Sequence, residues 1–480
     1  MKNPNVNSPQ GRSSRPIPPR PASSDRNMDK APLGQREERR PFEHKNDRKL
    51  FEHQNSQKSD YKKPYEGGDR RPRPSSDRPA PKVAPKPVQR VAPPEGQYEF
   101  FVACPRGLDD VLVYELKELG AIITQRNRLG VNIFADLKTA YRIVYCSRIA
   151  SRVLRPVFEF DCDHDDVLYA QAKAFDWSKW MTVNQTFKIN AHVRSSVMTH
   201  SQFASQRLKD AMCDYFREQC GERPNVDKES PDLMLDLQIT QNRAQISISY
   251  SVGVLHKRGY REMAVDAPIK ENLAAGILDL CEWGDDAQNT VPLYDAFCGS
   301  GTFLIEAALK YTRTPAGFLR AKQGFEGLPD FDEAAWNEIK AEAAAQMIPL
   351  PKGLIQGSDV SDKALSACKV NIEKAGFAGL IDLQLASFQK VELPAGCWLI
   401  SNPPYGVRLE QDVERLLQLY KVLGQWLCKY KPQKAVLLLA FAEVKKALNL
   451  WSERRWLLDN GDLDMSVEEF DRFVLNPNAK

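Results

Sequence analysis

Hydrophobic patterning begins near Gln97 and first describes a small unit over residues 96–165. Apolar and polar residues alternate over Glu99–Ala103 and again from Val131, which predicts two strands. Between them, apolar residues three or four positions apart predict a helix from Leu108, after a turn rich in Pro and Gly. The pattern therefore predicts a compact α+β unit at this end of the patterned chain.

A second α+β unit is predicted over residues 166–253. It contains a strand over Thr186–Val193 and an amphipathic helix that ends at Gly221, a typical C-terminal stop. Two alternating strands joined by a short hairpin-like link follow. Because the unit has no candidate nucleophile beside a base, the pattern favours a binding module over a catalytic one.

The remaining residues, 254–480, alternate helices with short apolar strands. Five strands are predicted from the runs VPLYDAF, GLIQGSDV, IDLQLAS, CWLISNPPY and KAVLLLAF. Helices between successive strands imply an α/β fold with a doubly wound, mostly parallel sheet, and an inserted helical excursion separates the first two strands. Ligands bind beyond the carboxyl ends of the strands in such sheets, so the chemistry is expected there.

The first 95 residues differ from the rest in complexity and charge. They hold 17 of the 32 prolines and 22 Lys/Arg against 12 Asp/Glu, a net charge of +10, whereas the remainder carries −6. Such a segment buries too little apolar surface to offset chain entropy, so it is predicted to be disordered. Two interpretations stay open: an arm that attracts RNA phosphates, or a solubilising extension without a dedicated partner.

Composition also bounds the compartment and the metal content. No apolar run reaches the length of a membrane span, and the N-terminus has no apolar signal core. Ten cysteines are scattered without a C-x-x-C pair or a Cys/His knuckle. This usage argues against a disulfide scaffold and a zinc site and favours a reducing cytoplasm, so neither a membrane nor a metal is an expected partner.

A glycine-rich turn, DAFCGSGT, follows the first predicted strand of the α/β half and begins at Asp295. Gly299 and Gly301 would let the backbone approach a ligand closely, although glycines also make ordinary turns. The turn lacks the third glycine of a dinucleotide fingerprint and the Lys of a P-loop. Cys298 is interpreted as a small buried residue of the turn, not as a nucleophile.

Two later strand ends carry further polar groups. Asp359 either accepts both hydroxyls of a ribose or caps the next helix. The motif Asn402-Pro403-Pro404-Tyr405 is the most specific in the chain, because two prolines fix the backbone and hold the Asn402 side chain and the Pro403 carbonyl outward as acceptors. Two acceptors can hold an exocyclic amino group, while Tyr405 can stack on a planar substrate. A simple Pro-rich turn is the alternative, disfavoured by the order of the three segments.

The segment LHKRGYR concentrates basic groups between the two halves. Residues predicted to contact RNA are His256, Lys257, Arg258, Tyr260 and Arg261, together with Arg194 from the preceding unit. Such a cluster could clamp a phosphate backbone and stack a base. The alternative is an interdomain linker with a helix-capping role, and for a single Arg a solvated helix face is the simpler interpretation.

In this order, the segments resemble the THUMP-domain class I S-adenosylmethionine-dependent RNA methyltransferases, nearest to the bacterial enzymes that methylate guanine N2 in 23S ribosomal RNA (RlmL-like, without the fused second methyltransferase). The similarity covers about residues 98–480 and is strongest from Leu255 to Leu409. It implies a ferredoxin-like part at 96–165, a THUMP RNA-binding domain at 166–253 and a Rossmann-like methyltransferase domain at 254–480. The long basic tail is not part of the shared pattern.

The resemblance also implies roles for individual residues. S-adenosylmethionine would be bound by Asp295, Phe297, Cys298, Gly299, Gly301, Asp359 and Asn402. Catalysis would be carried by Asn402, Pro403, Pro404 and Tyr405, which hold the guanine amino group for in-line methyl transfer. Ser387 stands where many relatives have an Asp that contacts the adenine amino group, so that contact is not assigned.

Three hypotheses of function follow. The first is an RNA guanine-N2 methyltransferase acting on ribosomal RNA. The second is another reaction of the N-P-P-Y motif, at adenine N6 or at a side-chain amide, because the grip suits any planar amino group; the THUMP-like half disfavours it. The third is a non-catalytic RNA-binding assembly factor, against which the intact Gly299, Gly301, Asp359 and Asn402 argue.

Overall fold

The computed structural model describes residues 92–263, 268–405, 410–460 and 463–475. The predicted disordered tail lies outside this part of the chain, apart from residues 92–95. Within the described residues, none of the helices combines the length and the apolar character that a membrane crossing requires.

The first half of the described chain forms one seven-stranded sheet with four helices. Its elements are β1 (Tyr98–Ala103), α1 (Asp109–Glu118), β2 (Ile122–Asn127), β3 (Gly130–Ala135), α2 (Leu137–Cys146), β4 (Arg152–Asp161), α3 (Asp165–Ala174), β5 (Phe187–Arg194), α4 (Ser201–Cys220), β6 (Leu233–Thr240) and β7 (Arg243–Ser249). The strand order is β2-β3-β1-β4-β7-β6-β5, antiparallel except between β5 and β6. Because β4 pairs with both β1 and β7, the sheet runs across the boundary predicted at residue 165.

The second half forms another seven-stranded sheet with helices between its strands. Its elements are α5 (Glu271–Leu280), β8 (Leu293–Asp295), α6 (Thr302–Tyr311), α7 (Glu333–Ala345), β9 (Ile355–Asp359), α8 (Asp362–Lys374), β10 (Asp382–Leu385), β11 (Trp398–Ser401), α9 (Glu410–Tyr430), β12 (Lys434–Leu439), α10 (Ala442–Leu448), β13 (Arg454–Asn460) and β14 (Leu463–Phe470). The order is β10-β9-β8-β11-β12-β14-β13, parallel up to β12. The predicted doubly wound, mostly parallel sheet is therefore confirmed.

Local signals in the sequence fix several helix ends. Gly221 adopts φ 78° directly after α4, where the predicted stop lies. Ser361 caps α8, since its side chain accepts a hydrogen bond from the Ala364 N–H at 3.2 Å. Asp136 caps α2 in the same way, through the Thr139 N–H at 2.7 Å. Each cap satisfies a backbone donor that has no partner within its own helix.

The inserted helix α7 packs back against α2 of the first half. Lys138 lies 2.8 Å from Glu338, and Arg142 lies 2.9 Å from Glu342. The Trp336 ring meets Tyr145 edge-on, with centroids 5.1 Å apart. Exposed ion pairs contribute little, and the aromatic contact adds an attraction that salt does not screen.

Candidate active site

Three polar segments meet at the carboxyl edge of the second sheet. The glycine-rich turn follows β8, Asp359 ends β9, and Asn402 follows β11. Strand β8 lies between β9 and β11, so the strand order reverses there. Open α/β sheets bind ligands at such a switch point, because the loops on either side diverge and leave a crevice. The structure thus brings together the residues that the sequence singled out for cofactor and substrate binding.

The turn after β8 depends on glycine at two positions. Gly299 has φ 53° and Gly301 has φ 86°, both in the left-handed region that side chains disfavour. A Cβ on Gly301 would lie 2.6 Å from the Cys368 Sγ. The Cys298 thiol is buried, and the neighbouring Cys368 thiol together with burial raises its pKa far above the ordinary range. Cys298 is therefore a packing group of the turn rather than a reactive thiolate.

Asp359 fastens the turn to the element that follows β9. Its Oδ2 accepts from the Gly299 N–H and its Oδ1 from the Ser361 N–H, both at 2.9 Å. The helix cap itself is supplied by Ser361. A carboxylate offers about four lone-pair positions, so each oxygen of this half-buried group keeps one for a ligand hydroxyl. The ribose interpretation of Asp359 is compatible with these contacts.

Asp295 lies beneath the turn and joins β8 to β11. Its Oδ1 accepts from the Ser401 hydroxyl at 2.7 Å and from the Phe297 N–H at 3.1 Å. The Ser401 hydroxyl in turn accepts from the Ala296 N–H at 2.9 Å. Burial raises the pKa of the Asp295 carboxyl to about 7, although both of its hydrogen-bond donors oppose the shift. The described contacts make Asp295 a positioning residue that sets Asn402 relative to the turn.

The raised pKa of Asp295 predicts a specific pH dependence of stability. Its pKa is about 7 in the folded chain against 3.8 as the ordinary value. The folded state holds the proton more tightly, so this group stabilises the fold below about pH 4 and loses that contribution as the pH rises through 7. We expect the Tm of Asp295→Asn, relative to wild type, to increase between pH 5 and pH 8 in thermal unfolding. A difference in Tm that is constant across this range would contradict the assignment.

The Asn402 side chain presents an unused acceptor. Its Oδ1 is shut off from solvent and has no hydrogen-bond partner among the described residues. A buried polar group left unpaired costs about 1–3 kcal/mol, so the geometry suits a donor brought by a bound molecule. Pro403 is buried beside it, and the Pro404 carbonyl accepts from the Tyr420 hydroxyl of α9 at 3.4 Å. The burial of Pro403 and the hydrogen bond to the Pro404 carbonyl fix the motif, while the Asn402 Oδ1 stays available to a bound molecule.

Aromatic side chains gather next to these loops. The Phe297 ring lies 5.3 Å from Phe388, which belongs to a short helical turn after β10 and also meets Trp426 of α9 edge-on at 5.4 Å. Tyr405 is half-buried and packs against the main core. Ser387 directly precedes Phe388. Sequence reasoning missed Phe388, whose signal was a single aromatic residue just beyond the third predicted strand.

The basic segment between the halves folds as a linker that buries Arg258 and Tyr260, so the prediction that these two residues contact RNA is wrong. Both residues are at most 1% exposed. The Tyr260 hydroxyl donates to Glu306 Oε1 at 2.9 Å, and the Arg258 Nε lies 3.5 Å from the same oxygen. Arg258 also donates to the main-chain carbonyl of Arg148. Charged residues are buried when they are paired, and Glu306 on α6 supplies the pair.

Arg261 also bonds within the protein and connects the linker to the glycine-rich turn. Its Nε donates to Glu271 Oε1 at 3.0 Å. Its Nη2 donates to the Ile269 carbonyl at 2.9 Å and to the Thr302 hydroxyl at 3.0 Å. Thr302 is the first residue of α6, directly after the turn. The interdomain-linker interpretation agrees with these contacts.

Asn371 of α8 is a second residue that joins the linker to the glycine-rich turn, and sequence reasoning missed it. Its Nδ2 donates to the Ser300 carbonyl at 3.0 Å and to the Met263 carbonyl at 2.9 Å, and its Oδ1 accepts from the Glu262 N–H at 3.0 Å. Asn371 has no exposed surface. A lone Asn in an amphipathic helix carries no distinguishing signal, although this one holds the linker and the turn together.

The other predicted RNA contacts differ in their surroundings. Lys257 and Arg194 are exposed. His256 is half-buried, and burial, followed by the charge of Lys270, lowers its pKa to about 4. The imidazole is therefore neutral near pH 7 and adds no positive charge. Of the predicted set, Lys257 and Arg194 are the two that present charge to solvent.

Comparisons with known proteins agree with this organisation. A family model described as "RMKL-like, methyltransferase domain" matches residues 258–460, a THUMP domain model matches 163–249, and an RlmL ferredoxin-like domain model matches 99–154. The ribosomal RNA large subunit methyltransferase K/L of Syntrophotalea carbinolica is 36% identical over 385 residues, covering 78% of this chain and 53% of the relative. Its namesake in Shewanella sp. strain MR-4 is 38% identical over 388 residues, covering 79% and 53%.

A solved structure shows the same fold. The crystal structure of SMU.472 complexed with SAH superposes with a TM-score of 0.70 at 25% identity and covers 78% of this chain and 98% of that one. The fold and these matches give this chain the domain organisation of the THUMP-domain methyltransferases, with a THUMP domain followed by a methyltransferase-type domain. This chain spans about half the length of the curated relatives it matches. Within the chain, residues 99–154 and 258–460 are similar to the RlmL ferredoxin-like and RMKL-like methyltransferase domains.

Proposed function

We propose that this chain transfers a methyl group from S-adenosylmethionine to the exocyclic N2 amino group of a guanine in 23S ribosomal RNA. The observation that carries the proposal is the Asn402 Oδ1, a buried acceptor without a partner among the described residues, at the switch point of the second sheet. An amino group is a donor that such an acceptor can take up. The adjacent glycine-rich turn and Asp359 provide the place for a methyl donor.

The residues present fit S-adenosylmethionine. Asp359 keeps an acceptor on each oxygen for the two ribose hydroxyls, and the backbone at Gly299 and Gly301 allows close approach of a ligand. SMU.472, which shares the fold, was crystallised with SAH. When bound, this cofactor supplies a methyl group already activated by the positive charge on sulfur. The protein therefore has to provide mainly orientation.

Orientation of the target amine falls to the Asn402 motif. The Asn402 Oδ1 and the Pro403 carbonyl would each accept one hydrogen bond from the amino group, which directs its lone pair toward the methyl. Tyr405 would stack on the base. No strong general base is needed, because the methylated ammonium is acidic and loses its proton afterwards. The base must leave its helix or be unpaired to reach the crevice, as with other enzymes that act on bases.

The choice of RNA rests on the first half of the chain. It matches a THUMP domain, and the relatives that span both halves carry the name ribosomal RNA large subunit methyltransferase. Guanine N2 is preferred over adenine N6 because a THUMP-like half joined to an N-P-P-Y half resembles the guanine-N2 enzymes. The Asn402 grip alone does not distinguish the two bases, since both present a planar amino group.

Mass spectrometry of ribosomal RNA nucleosides tests the proposal. Cells that lack the gene are expected to lose one N2-methylguanosine from 23S RNA, and the wild-type gene is expected to restore it. Asn402→Ala should fail to restore it, whereas the matched variant Asn337→Ala, on the exposed face of α7, should succeed. Loss of a methyladenosine instead would reject the guanine assignment. An unchanged nucleoside profile would reject ribosomal RNA as the substrate.

A further inference from the structure

A cationic groove lies between the first sheet and the α/β half. The cavity measures about 380 Å³. Its walls come from β4, β5 and β6, from residues 252–254 after β7, from the linker and from residues 320–322. The basic residues that line it are Arg152, Lys188, Lys257, Arg320 and Lys322. No Asp or Glu is among its described lining residues.

Part of this charge is balanced from outside the groove. Arg152 lies 2.7 Å from Asp236, and Lys322 lies 2.8 Å from Asp232. Lys188 donates to the Lys228 carbonyl, an uncharged acceptor, at 2.8 Å. Across the described ranges, Lys188, Lys257 and Arg320 have no carboxylate within ion-pair distance. The groove therefore keeps a net positive charge, which a polyanion would compensate.

Arg320 is the strongest indication that the groove accepts an anion. Its Nη1 donates to the Val144 carbonyl at 2.8 Å, yet its Nε is shut off from solvent and, in the described part of the chain, has no hydrogen-bond partner. Burial, followed by the charge of Arg258, lowers the pKa of Arg320 to about 9. The positive charge is thus held in unfavourable surroundings, and an anion in the groove would stabilise it.

The linker extends from the groove to the glycine-rich turn. Lys257 lines the groove, and four residues later in the same linker Arg261 bonds to Thr302 at the end of the glycine-rich turn. Small-molecule pockets are mostly apolar with a few placed polar groups. This groove instead has basic residues on four of its six walls, the kind of arrangement with which proteins hold a nucleic-acid backbone.

We propose that the groove binds phosphodiester groups of the RNA substrate and holds its backbone while a base enters the switch-point crevice. The inference rests on the proposed function, because it takes the substrate to be RNA. The groove residues are binding residues and do not touch the reacting atoms, so their loss should act on RNA affinity and KM rather than on cofactor binding.

A double variant, Lys188→Ala/Lys257→Ala, tests the groove in the full chain. The control is Lys117→Ala/Lys352→Ala, which removes the same charge from two exposed lysines outside the groove. An unmodified 23S RNA transcript is the probe, and its Kd is measured at several salt concentrations. The groove variant is expected to weaken binding on the order of 10-fold at 0.1 M salt and to reduce the slope of log K against log salt by about 1.4–1.8. The control should match wild type.

Two further readouts separate the possible failures. Affinity for S-adenosylhomocysteine and the Tm should be unchanged in the groove variant, which shows that the fold and the cofactor site are intact. If the groove variant kept the wild-type Kd and salt slope while wild type methylated the transcript, the proposed RNA-binding role of the groove would be contradicted. The proposed function would be unaffected by that result. Reduced RNA binding in the groove variant, with no methyl transfer by wild type, would support the groove and count against the proposed function.

Discussion

Asn402→Ala is expected to lower kcat for methyl transfer by about 10²–10³-fold, the usual effect of removing one preorganised hydrogen bond at a reacting centre. The Oδ1 of Asn402 is a buried acceptor without a partner among the described residues, and alanine leaves only the Pro403 carbonyl to orient the amine. The affinity for S-adenosylmethionine should change only a few-fold, because Asp359 and the glycine-rich turn are untouched. Single-turnover kinetics with labelled cofactor, together with calorimetric titration, would measure both quantities.

The control for this experiment is a second Asn→Ala change outside the site. Asn337→Ala, on the exposed face of α7, should retain wild-type kcat and cofactor affinity. If Asn402→Ala kept wild-type kcat, the amide would not hold the substrate. A collapse of cofactor affinity with unchanged kcat at saturation would instead reassign Asn402 to the cofactor alone.

Arg258→Ala is expected to destabilise the fold by about 3–5 kcal/mol, the usual cost of breaking a buried ion pair from one side. Arg258 and Glu306 are both unexposed, with the Arg258 Nε 3.5 Å from Glu306 Oε1. Removal of the guanidinium leaves the Glu306 carboxylate buried without its ion-pair partner and takes a donor away from the Arg148 carbonyl. Urea unfolding followed by circular dichroism would measure the loss as a lower midpoint.

A matched pair of variants makes this test selective. Arg128→Ala removes an exposed arginine and should change stability by less than about 0.5 kcal/mol. The double change Arg258→Met/Glu306→Gln removes the charge on both sides and is expected to recover part of the loss. A wild-type urea midpoint for Arg258→Ala would show that the pair contributes nothing to stability.

Strand ends and motifs were readable from the sequence because they depend on local rules. The three site segments follow predicted strands, and the parallel sheet brings their ends together. Strand β2 was missed, since it lies at the sheet edge and five of its six residues are exposed, which erases the alternation. Helix α3 was missed because it buries only Leu168 and Ala172, too few for a helical period.

The burial of Arg258 and Tyr260 within the linker could not be derived from local rules. Four basic groups in seven residues normally indicate a solvated surface, since charged side chains are rarely buried without a partner. The partner, Glu306, lies 46 residues beyond Tyr260, inside a helix whose other residues are mostly apolar. Because Glu306 pairs with Arg258 in the tertiary structure, a basic segment that normally indicates a surface is partly buried here. The role of Ser401 could not be derived from local rules either, because its hydrogen bond is to Asp295, 106 residues earlier in the chain.

The linker also limits how this chain can be recombined with its relatives. A chimaera joined within residues 254–268 must keep Arg258 compatible with the Arg148 carbonyl from one parent and with Glu306 from the other. If a parent lacked either Arg258 or Glu306, the hybrid would bury the charge of the other residue without a partner. The two halves are therefore expected to be inherited as one module, and transplants that carry the linker together with both of its neighbours should survive where simpler cuts fail.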